Sequence, residues 1–259
     1  MSSEIPLYPL LRGRDVSAWL ANLSALIIVP HAAADFSVPL SVEEVSRSAP
    51  LTLEYFGEFE KALRSRSGYR QLHKERPEFY VVGNTGNYTL APHKVVFKEL
   101  TDVFQCAVIS PEQTANRVSK PVIPDHKLLF LVCSCAEEAH FVAGLPNSIP
   151  ARAALYSASV GVQTQADYPT DVSRIRLPDC DPKNAVHRNV VRLSQECHEI
   201  ARADGGSGQL VALGTDLASA TSDIGKIPSS EREPLMAYYT KIRSFRKRAA
   251  PSESMEEEV

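Results

Sequence analysis

Two arginines, Arg12 and Arg14, flank a glycine near the start of the chain. A guanidinium group can bind phosphate oxygens, and it can also grip O6 and N7 of a guanine through two hydrogen bonds. Gly13 has no side chain, so the backbone here could approach a nucleic-acid groove closely. Alternatively, one of the two arginines pairs with Asp15 and fixes the loop. Both interpretations follow from the residue types.

Three lysines, Lys94, Lys98 and Lys127, lie in or at the start of predicted strands. An ammonium group at such a position can contact a nucleic-acid phosphate, and an ordinary exposed lysine is the alternative for each. Between Lys61 and Lys127 the chain holds eleven Lys and Arg against six Asp and Glu. This local excess of positive charge could attract a polyanion although the formal net charge of the whole chain is −3.

The chain lacks the common motifs of nucleotide-binding and hydrolytic enzymes. It has no Gly-x-Gly-x-x-Gly or Gly-x-x-x-x-Gly-Lys phosphate loop and no Gly-x-Ser-x-Gly nucleophile turn. The glycine-rich residues 205–208 follow a predicted helix and therefore indicate a linker. The adjacent acids Glu43-Glu44 and Glu137-Glu138 lie near predicted helix starts, where carboxylates stabilise the helix dipole.

The cysteines do not form a recognisable metal site or disulfide framework. Their number is five, and they are scattered along the chain. Cys133 and Cys135 form a single Cys-x-Cys with His126 as the only nearby further ligand, whereas a structural zinc site needs four ligands. We therefore expect no metal, and we expect small buried residues on a strand.

The composition is that of a globular protein. The chain has 259 residues, of which 44% are hydrophobic and 23% are charged, and this length is sufficient for a buried core. No basic and apolar leader and no apolar run of about 20 residues occurs. These features predict a cytoplasmic protein without a membrane partner.

The hydrophobic pattern predicts an α+β fold, with a mixed or antiparallel sheet, flanking helices and a helical C-terminal part. Val95–Glu99 and Phe104–Ile109 are predicted strands of a hairpin, and Lys127–Cys133 is a third strand. A helix is predicted over Pro50–Arg66, with its core face formed by Leu51, Tyr55, Phe59 and Leu63, which recur every four residues.

The second half of the chain is predicted to be mostly helical. A helix is predicted over Ala136–Leu145, ended by Gly144 and Pro146. Another should begin with Asp181 as its N-cap and Pro182 at its first position. Its apolar seam is formed by Val186, Val190, Leu193, Cys197 and Ile200. We predict a recognition domain over residues 1–180, a helical region over 181–248 and a disordered acidic tail over 249–259.

Four stretches, in order, resemble the C-terminal half of large bacterial and archaeal adenine-specific DNA methylases, which include type IIG restriction–modification enzymes and TaqI-like proteins. They are Leu7–Val16 (LYPLLRGRDV) with Ile27–His31, Tyr88–Glu99 (YTLAPHKVVFKE), Lys120–Leu128 (KPVIPDHKL), and Ile175–Pro178 with Asp181-Pro182 and His187-Arg188. Together they extend over about 200 residues. Phe97 stands where tryptophan is expected, and Pro146 stands where the family continues a helix with leucine.

The resemblance implies that the chain recognises a target sequence in double-stranded DNA. It places the segment that contains Gln163 and Gln165 near the DNA, in addition to Arg12, Arg14 and the three lysines. A methylase also needs a glycine-rich cofactor turn and an Asn/Asp-Pro-Pro-aromatic motif that holds the flipped base. No Pro-Pro occurs in the chain. S-adenosylmethionine would therefore bind a catalytic domain outside this chain, and we expect no cofactor here.

Three alternatives differ in class. The chain could be the recognition subunit of a split methylase with a separate catalytic chain. It could be a binding module that acts alone in defence or regulation, or a truncated remnant without function. A neighbouring reading frame that encodes a methylase core would favour the split enzyme.

Overall fold

The computed structural model describes residues 6–101, 104–113, 118–158, 166–167, 177–203 and 207–249. Within these ranges the strands are β1 (Leu7–Leu11), β2 (Val16–Ser17), β3 (Leu20–Ala21), β4 (Ala25–Ile28), β5 (His93–Lys98), β6 (Leu100–Thr101), β7 (Cys106–Ile109), β8 (Glu112–Gln113), β9 (Ser119–Lys120), β10 (Ile123–Pro124), β11 (Leu128–Cys133) and β12 (Ala166–Asp167). The α-helices are α1 (Val42–Ser48), α2 (Pro50–Glu58), α3 (Glu60–Ser65), α4 (Ala136–Asn147), α5 (Ile149–Ala158), α6 (Ala185–Arg202), α7 (Ser207–Ile224) and α8 (Ser229–Ala249). Helices combined with small mixed or antiparallel sheets confirm the predicted α+β class.

The chain divides into two compact units that interleave along the sequence. Unit 1 consists of Met1–Leu11, Leu23–Pro92 and Ser110–Ile123, and unit 2 consists of Arg12–Asn22, His93–Ile109 and Pro124–Val259. The segments of the two units alternate along the sequence, and no boundary between them lies at residue 180. The role predicted for residues 1–180 stays a prediction, and residues 250–259 of the predicted tail lie outside the described residues.

Unit 1 contains a three-stranded sheet in the order β10–β1–β4 and the helices α1 to α3. The β1–β4 pair is antiparallel, with Leu7 opposite Ile28. Beside this sheet, Val29, Phe36 and Ile123 are buried in one core cluster. The buried His31 ring lies here too, and its Nε2 accepts the Val82 N–H at 3.2 Å.

The apolar stripe predicted on Pro50–Arg66 is not the core face. Leu51 is 78% exposed, and Tyr55 and Phe59 are also exposed, whereas Leu63 packs against a core cluster of unit 1. The helix breaks at Phe59, whose φ of −110° and ψ of 9° separate α2 from α3, and Phe56 is turned inward instead. Its ring stacks on the Tyr80 ring at 5.4 Å. The four-residue spacing predicts Tyr55 on the core face, whereas the structure places the next residue, Phe56, there. The spacing does not show this, because the contact that decides it is with Tyr80, which is distant in the sequence.

Unit 2 contains the three-stranded antiparallel sheet β11–β5–β7, as predicted. Val95 and Phe97 point from the central strand β5 into a core cluster that also contains Phe104, Val108 and residues of the helices. The same alternation places Lys94, Val96 and Lys98 on the opposite face of β5. The first and last lysines of this strand therefore share a face but lie at opposite ends.

Helices α4 and α6 pack closely against each other. A Cβ added at Gly144 would lie only 2.7 Å from Cγ1 of Val190, so the glycine permits this contact. The predicted helix is confirmed as α4, which extends two residues beyond its predicted end, to Asn147, with Pro146 in its last turn. Close helix packing explains Gly144 here, and helix termination does not.

The start of α6 also differs from its prediction. Its N-cap is Asn184, whose side chain accepts the Val186 N–H at 2.9 Å. Asp181, the predicted cap, accepts the Lys183 N–H in the preceding turn instead. The predicted seam is confirmed at its centre, because Val190, Leu193 and Cys197 are fully buried. On this face α6 meets α7 as well as α4.

The outer edge of β7 is closed by side chains from α4 and α6. The Cys106 N–H donates to Oδ1 of Asn147 at 3.1 Å, and Nδ2 of Asn147 donates to the Cys106 carbonyl at 2.8 Å. The Val108 N–H donates to Nε2 of His198 at 2.9 Å. The Nδ1 of His198 lies 2.7 Å from the Ser194 carbonyl and donates to it. These two hydrogen bonds fit the neutral ring with its proton on Nδ1.

A charge placed in the centre of the α6 seam should destabilise unit 2. We expect Leu193→Asp to lower the free energy of unfolding by more than about 3 kcal/mol, because it removes a buried aliphatic group and buries a carboxylate. Thermal or urea unfolding followed by circular dichroism measures the effect. Asn189→Asp adds the same charge at an exposed position of α6 and should change stability little. Equal stability of both variants and the parent would show that the seam is not buried.

The stability of the protein should rise with pH between about pH 4 and pH 6.5. Burial, together with the nearby charge of Arg202, lowers the pKa of His198 from 6.5 to about 3 and that of His140 from 6.5 to about 4. In this window the unfolded chain binds more protons than the folded chain, so each histidine adds up to about 1.4 kcal/mol per pH unit.

Urea midpoints between pH 4.5 and pH 7 test this dependence. His198→Gln should flatten it, because glutamine can accept the Val108 N–H but takes up no proton. The exposed His126 provides the control, and His126→Gln should leave the dependence unchanged. If His198→Gln keeps the parent's slope, His198 is not the group that titrates on unfolding.

Candidate nucleic-acid interface

The segment from Arg12 to Asn22 carries both predicted arginines, Arg12 and Arg14, and belongs to unit 2. Arg12 is extended, and Gly13–Asp15 form a single 3-10 turn that the Asp15 N–H closes by donating to the Arg12 carbonyl at 2.9 Å. The short hairpin β2–β3 follows directly. This arrangement presents the two arginines on either side of a tight turn.

The hairpin after this turn is firmly anchored. Trp19 has a positive φ of 67°, which is a costly conformation for a bulky residue. Its N–H donates to the Cys106 carbonyl at 3.1 Å, and its ring packs edge-on against His198 with 5.2 Å between centroids. The neighbouring structure of unit 2 therefore imposes the backbone geometry of this segment.

The carboxylate of Asp125 joins the arginine turn to the loop that contains Lys127. Its Oδ2 accepts the Gly13 N–H at 3.2 Å, and its Oδ1 accepts the Lys127 N–H at 3.0 Å. A Cβ added at Gly13 would lie 3.2 Å from Cβ of Lys127. Gly13 is buried, so the absence of a side chain permits the two backbones to meet. Residues that are 112 positions apart in the sequence are thereby brought together.

Lys98 lies at the same end of the sheet. It occupies the last position of β5, opposite Leu128 in the antiparallel register. The next N–H, of Glu99, donates to the Lys127 carbonyl at 3.1 Å. The structure thus brings together four of the predicted residues, which we name the basic cluster: Arg12, Arg14, Lys98 and Lys127.

The basic cluster is accessible to a ligand. The Arg14 side chain is 72% exposed, Lys127 is exposed, and Arg12 and Lys98 are half-buried. The alternative prediction, that an arginine pairs with Asp15, holds in a weak form, because Nε of Arg14 lies 3.9 Å from Oδ1 of Asp15. An exposed pair at this distance stabilises little, so the guanidinium can bind another anion.

Carboxylates moderate the charge of the basic cluster. Asp15, Glu99 and Asp125 lie in the same loops, so the four cations exceed the carboxylates by one. Asp125 binds two backbone N–H groups, and Asp15 is largely buried beside Arg14. Glu99 is exposed. The outward charge of the cluster is therefore carried by the arginine and lysine side chains, with Glu99 as their exposed counter-charge.

The predicted phosphate contact by Lys94 is contradicted by its burial. Lys94 is only 1% exposed, and its Nζ lies 5.8 Å from the centre of the Phe130 ring. Burial lowers the pKa of its ammonium group to about 8. The physical reason is that β5 is the central strand of its sheet and both of its faces are covered at this position. The last two predicted residues, Gln163 and Gln165, lie outside the described residues.

The charge excess predicted between Lys61 and Lys127 is divided between the units. In unit 1, two of its arginines stabilise the fold. Arg64 donates to Glu60 at 2.7 Å and to the Tyr69 hydroxyl at 2.6 Å. Arg66 donates to the carbonyls of Phe79 and Val81. Among the described residues of unit 1, the other exposed cations of this segment are Lys61, Arg70, Lys74 and Arg76.

The other sequence candidates have structural roles. Ser41 and Glu44 form a reciprocal capping box at the start of α1, and hydrogen bonding lowers the pKa of Glu44. Cys135 is the N-cap of α4, and Glu138 in its first turn accepts hydrogen bonds from Ser134. Within the described ranges, no three His, Cys, Asp or Glu side chains are arranged to hold a metal ion.

Sequence reasoning missed the role of Asp125. The residue lies in one of the quoted stretches, between a proline and the predicted strand of Lys127. Its position before a strand suggests a turn, but no local pattern indicates that its carboxylate reaches Gly13. Only the fold provides that information.

Neither a family model nor a curated protein matches this chain. The methylase resemblance therefore stays a prediction. Among the described helices, none has both the length and the apolar character that crossing a membrane requires.

Proposed function

We propose that this chain is a DNA sequence-recognition module of an N6-adenine DNA methyltransferase in a restriction–modification system, and that it is not catalytic alone. A cytoplasmic location fits this role, because the target is chromosomal or invading DNA. Its partner is double-stranded DNA, and S-adenosylmethionine would bind a catalytic domain or, in a split methylase, a separate catalytic subunit.

The observation that carries the proposal is the convergence of the basic cluster in unit 2. Arg12, Arg14, Lys98 and Lys127 come from three separate segments of the chain and meet at one end of a sheet. Cations that only keep a surface solvated need not lie close together, whereas binding of a phosphate backbone requires several cations at one place. The arginines can in addition reach base edges, where sequence is recognised.

The geometry suggests different tasks for members of the basic cluster. Lys98 and Lys127 lie at the ends of neighbouring strands, where an ammonium group suits a phosphate as a point charge. Arg14 projects from a tight turn, and its planar guanidinium suits two parallel hydrogen bonds to one base. Loss of a phosphate contact weakens binding to every sequence, whereas loss of a base contact relaxes preference at one base pair.

We expect the purified chain to bind duplex DNA with a Kd closer to the non-specific range, about 10⁻⁴–10⁻⁶ M, than to the Kd of a complete enzyme. Binding should weaken steeply as the salt concentration rises. In binding without sequence preference all four cations contact phosphates, which would give a logarithmic salt slope of about −3.6. Lys98→Gln together with Lys127→Gln should make this slope shallower by about 2. Fluorescence anisotropy of a labelled duplex at about 50 and about 200 mM salt measures both quantities.

A matched control comes from the same unit. Lys183 is exposed and lies in the turn before α6, outside the basic cluster, so Lys183→Gln removes one exposed charge without touching the cluster. Its effect on the salt slope should be small. If the parent does not bind DNA at low salt, or if the Lys183 variant weakens binding as much as the double variant, the proposal is wrong.

The purified chain should transfer no methyl group to DNA. The sequence contains neither the Pro-Pro motif nor the glycine-rich cofactor turn of an adenine methylase. Incubation with labelled S-adenosylmethionine and DNA of mixed sequence should leave the DNA unlabelled, while a complete adenine methylase labels it in parallel. Reproducible label on adenine would contradict the assignment as a recognition module alone.

A further inference from the structure

We propose that Asp125 is a positioning residue for DNA recognition, whose carboxylate fixes the arginine turn against the lysine loop. This inference rests on the proposed function. Asp125 does not touch DNA in this role, because its two oxygens are used within the protein. It acts through Arg12 and Arg14, because it binds the N–H of Gly13, which lies between them, and joins it to the Lys127 loop.

The chemistry of the junction requires a carboxylate. Gly13 and Lys127 each direct a backbone N–H at Asp125, and the two N–H groups reach different oxygens at 3.2 and 3.0 Å. Both side-chain oxygens of an ionised aspartate accept hydrogen bonds. An asparagine offers only one such oxygen, and its NH2 group would face the other N–H donor. Asp125→Asn should therefore weaken the junction between the arginine turn and the lysine loop.

The backbone of Asp125 also fixes the loop that leads into β11. The Leu128 N–H donates to the Asp125 carbonyl at 3.1 Å, at the point where β11 begins. Since Lys98 lies opposite Leu128 in the register, the side chain of Asp125 connects the arginine turn to a loop that the sheet already holds in place. The rigid partner in this junction is the sheet, and the part that is positioned is the turn containing Arg12 and Arg14.

Simple electrostatics makes the opposite prediction from positioning. A carboxylate beside four cations lowers the attraction of the basic cluster for phosphate. If Asp125 contributed only its charge, neutralising it would tighten DNA binding. If Asp125 positions the cluster, neutralising it weakens binding in spite of the gain in positive charge. The sign of the change therefore separates the two explanations.

Glu99 provides the matched control for this sign. It is an exposed carboxylate beside Lys98, and the hydrogen bond to Lys127 comes from its backbone. Glu99→Gln removes the same charge and leaves the junction intact. We expect Glu99→Gln to bind DNA as tightly as the parent or more tightly, and Asp125→Asn to bind about tenfold more weakly, as expected for a lost hydrogen bond to a charged group.

A double-mutant cycle identifies the group through which Asp125 acts. In a background with Arg12→Gln and Arg14→Gln, the arginine turn no longer offers cations, so the loss caused by Asp125→Asn should largely disappear. A general loss of folding would instead persist in that background. Gly13→Ala is a second variant of the same junction, because its Cβ would lie 3.2 Å from Cβ of Lys127 without changing any charge.

The deciding experiment measures Kd for the parent, these variants and the combined variants on one duplex at low salt, with melting temperatures alongside. Weaker binding by Asp125→Asn, coupled to the arginines and reproduced by Gly13→Ala, supports positioning. Binding by Asp125→Asn that is unchanged, tighter, or weakened equally in the arginine-free background overturns it. If Asp125→Asn melts far below the parent, Gly13→Ala decides, and parent-like binding by that variant overturns the inference. Failure of the parent itself to bind DNA overturns the proposed function, which is a separate outcome.

Discussion

The arrangement of the helices in unit 2 depends on hydrogen bonds to the outer edge of β7. A strand at the edge of a sheet presents peptide groups that the sheet does not use, and here the residues that carry them, Cys106 and Val108, are buried. Buried peptide groups without partners are costly. Asn147 of α4 accepts from and donates to Cys106, and His198 of α6 accepts from Val108. Two helices are thereby fixed to one strand by directional bonds, and apolar packing alone would not fix their register in this way.

The same edge fixes the segment that carries the arginines. The Trp19 N–H donates to the Cys106 carbonyl, which also accepts from Asn147. This bond, with the packing of the indole on His198, stabilises a backbone conformation that a tryptophan rarely adopts. Residues 12–22 are therefore held at two points, at Trp19 on the edge of β7 and at Gly13 on the carboxylate of Asp125. The arginine turn lies at the end that Asp125 holds, so its geometry depends on both anchors.

Sequence patterns predict the strands and helices of unit 2 better than the contacts between them. The strands of the β11–β5–β7 sheet and the seam of α6 were identifiable because each is determined by local alternation of apolar residues. Contacts between distant segments were not identifiable. Gly144 indicated a helix end when considered alone, but in the structure it makes room for Val190. Asp181 and Asn184 are both good caps, and local chemistry does not choose between them. The stripe with Leu51 failed for the same reason, since its phase is set by Phe56 on Tyr80.

Lys94 and Lys98 show why the site could be predicted only in part. The two lysines lie on one face of one strand, four residues apart, and the sequence gives them equal roles. Burial removes Lys94 from solvent and lowers the pKa of its ammonium group, whereas Lys98 lies where the strand meets the Asp125 loop. The availability of a cation thus depends on its position along the strand, and residue type does not determine it. Loops at the ends of rigid elements are the usual place for recognition, and the three segments of the basic cluster meet at such an end. A net charge of −3 for the whole chain is therefore compatible with DNA binding, because the local field depends on which cations the fold leaves exposed together.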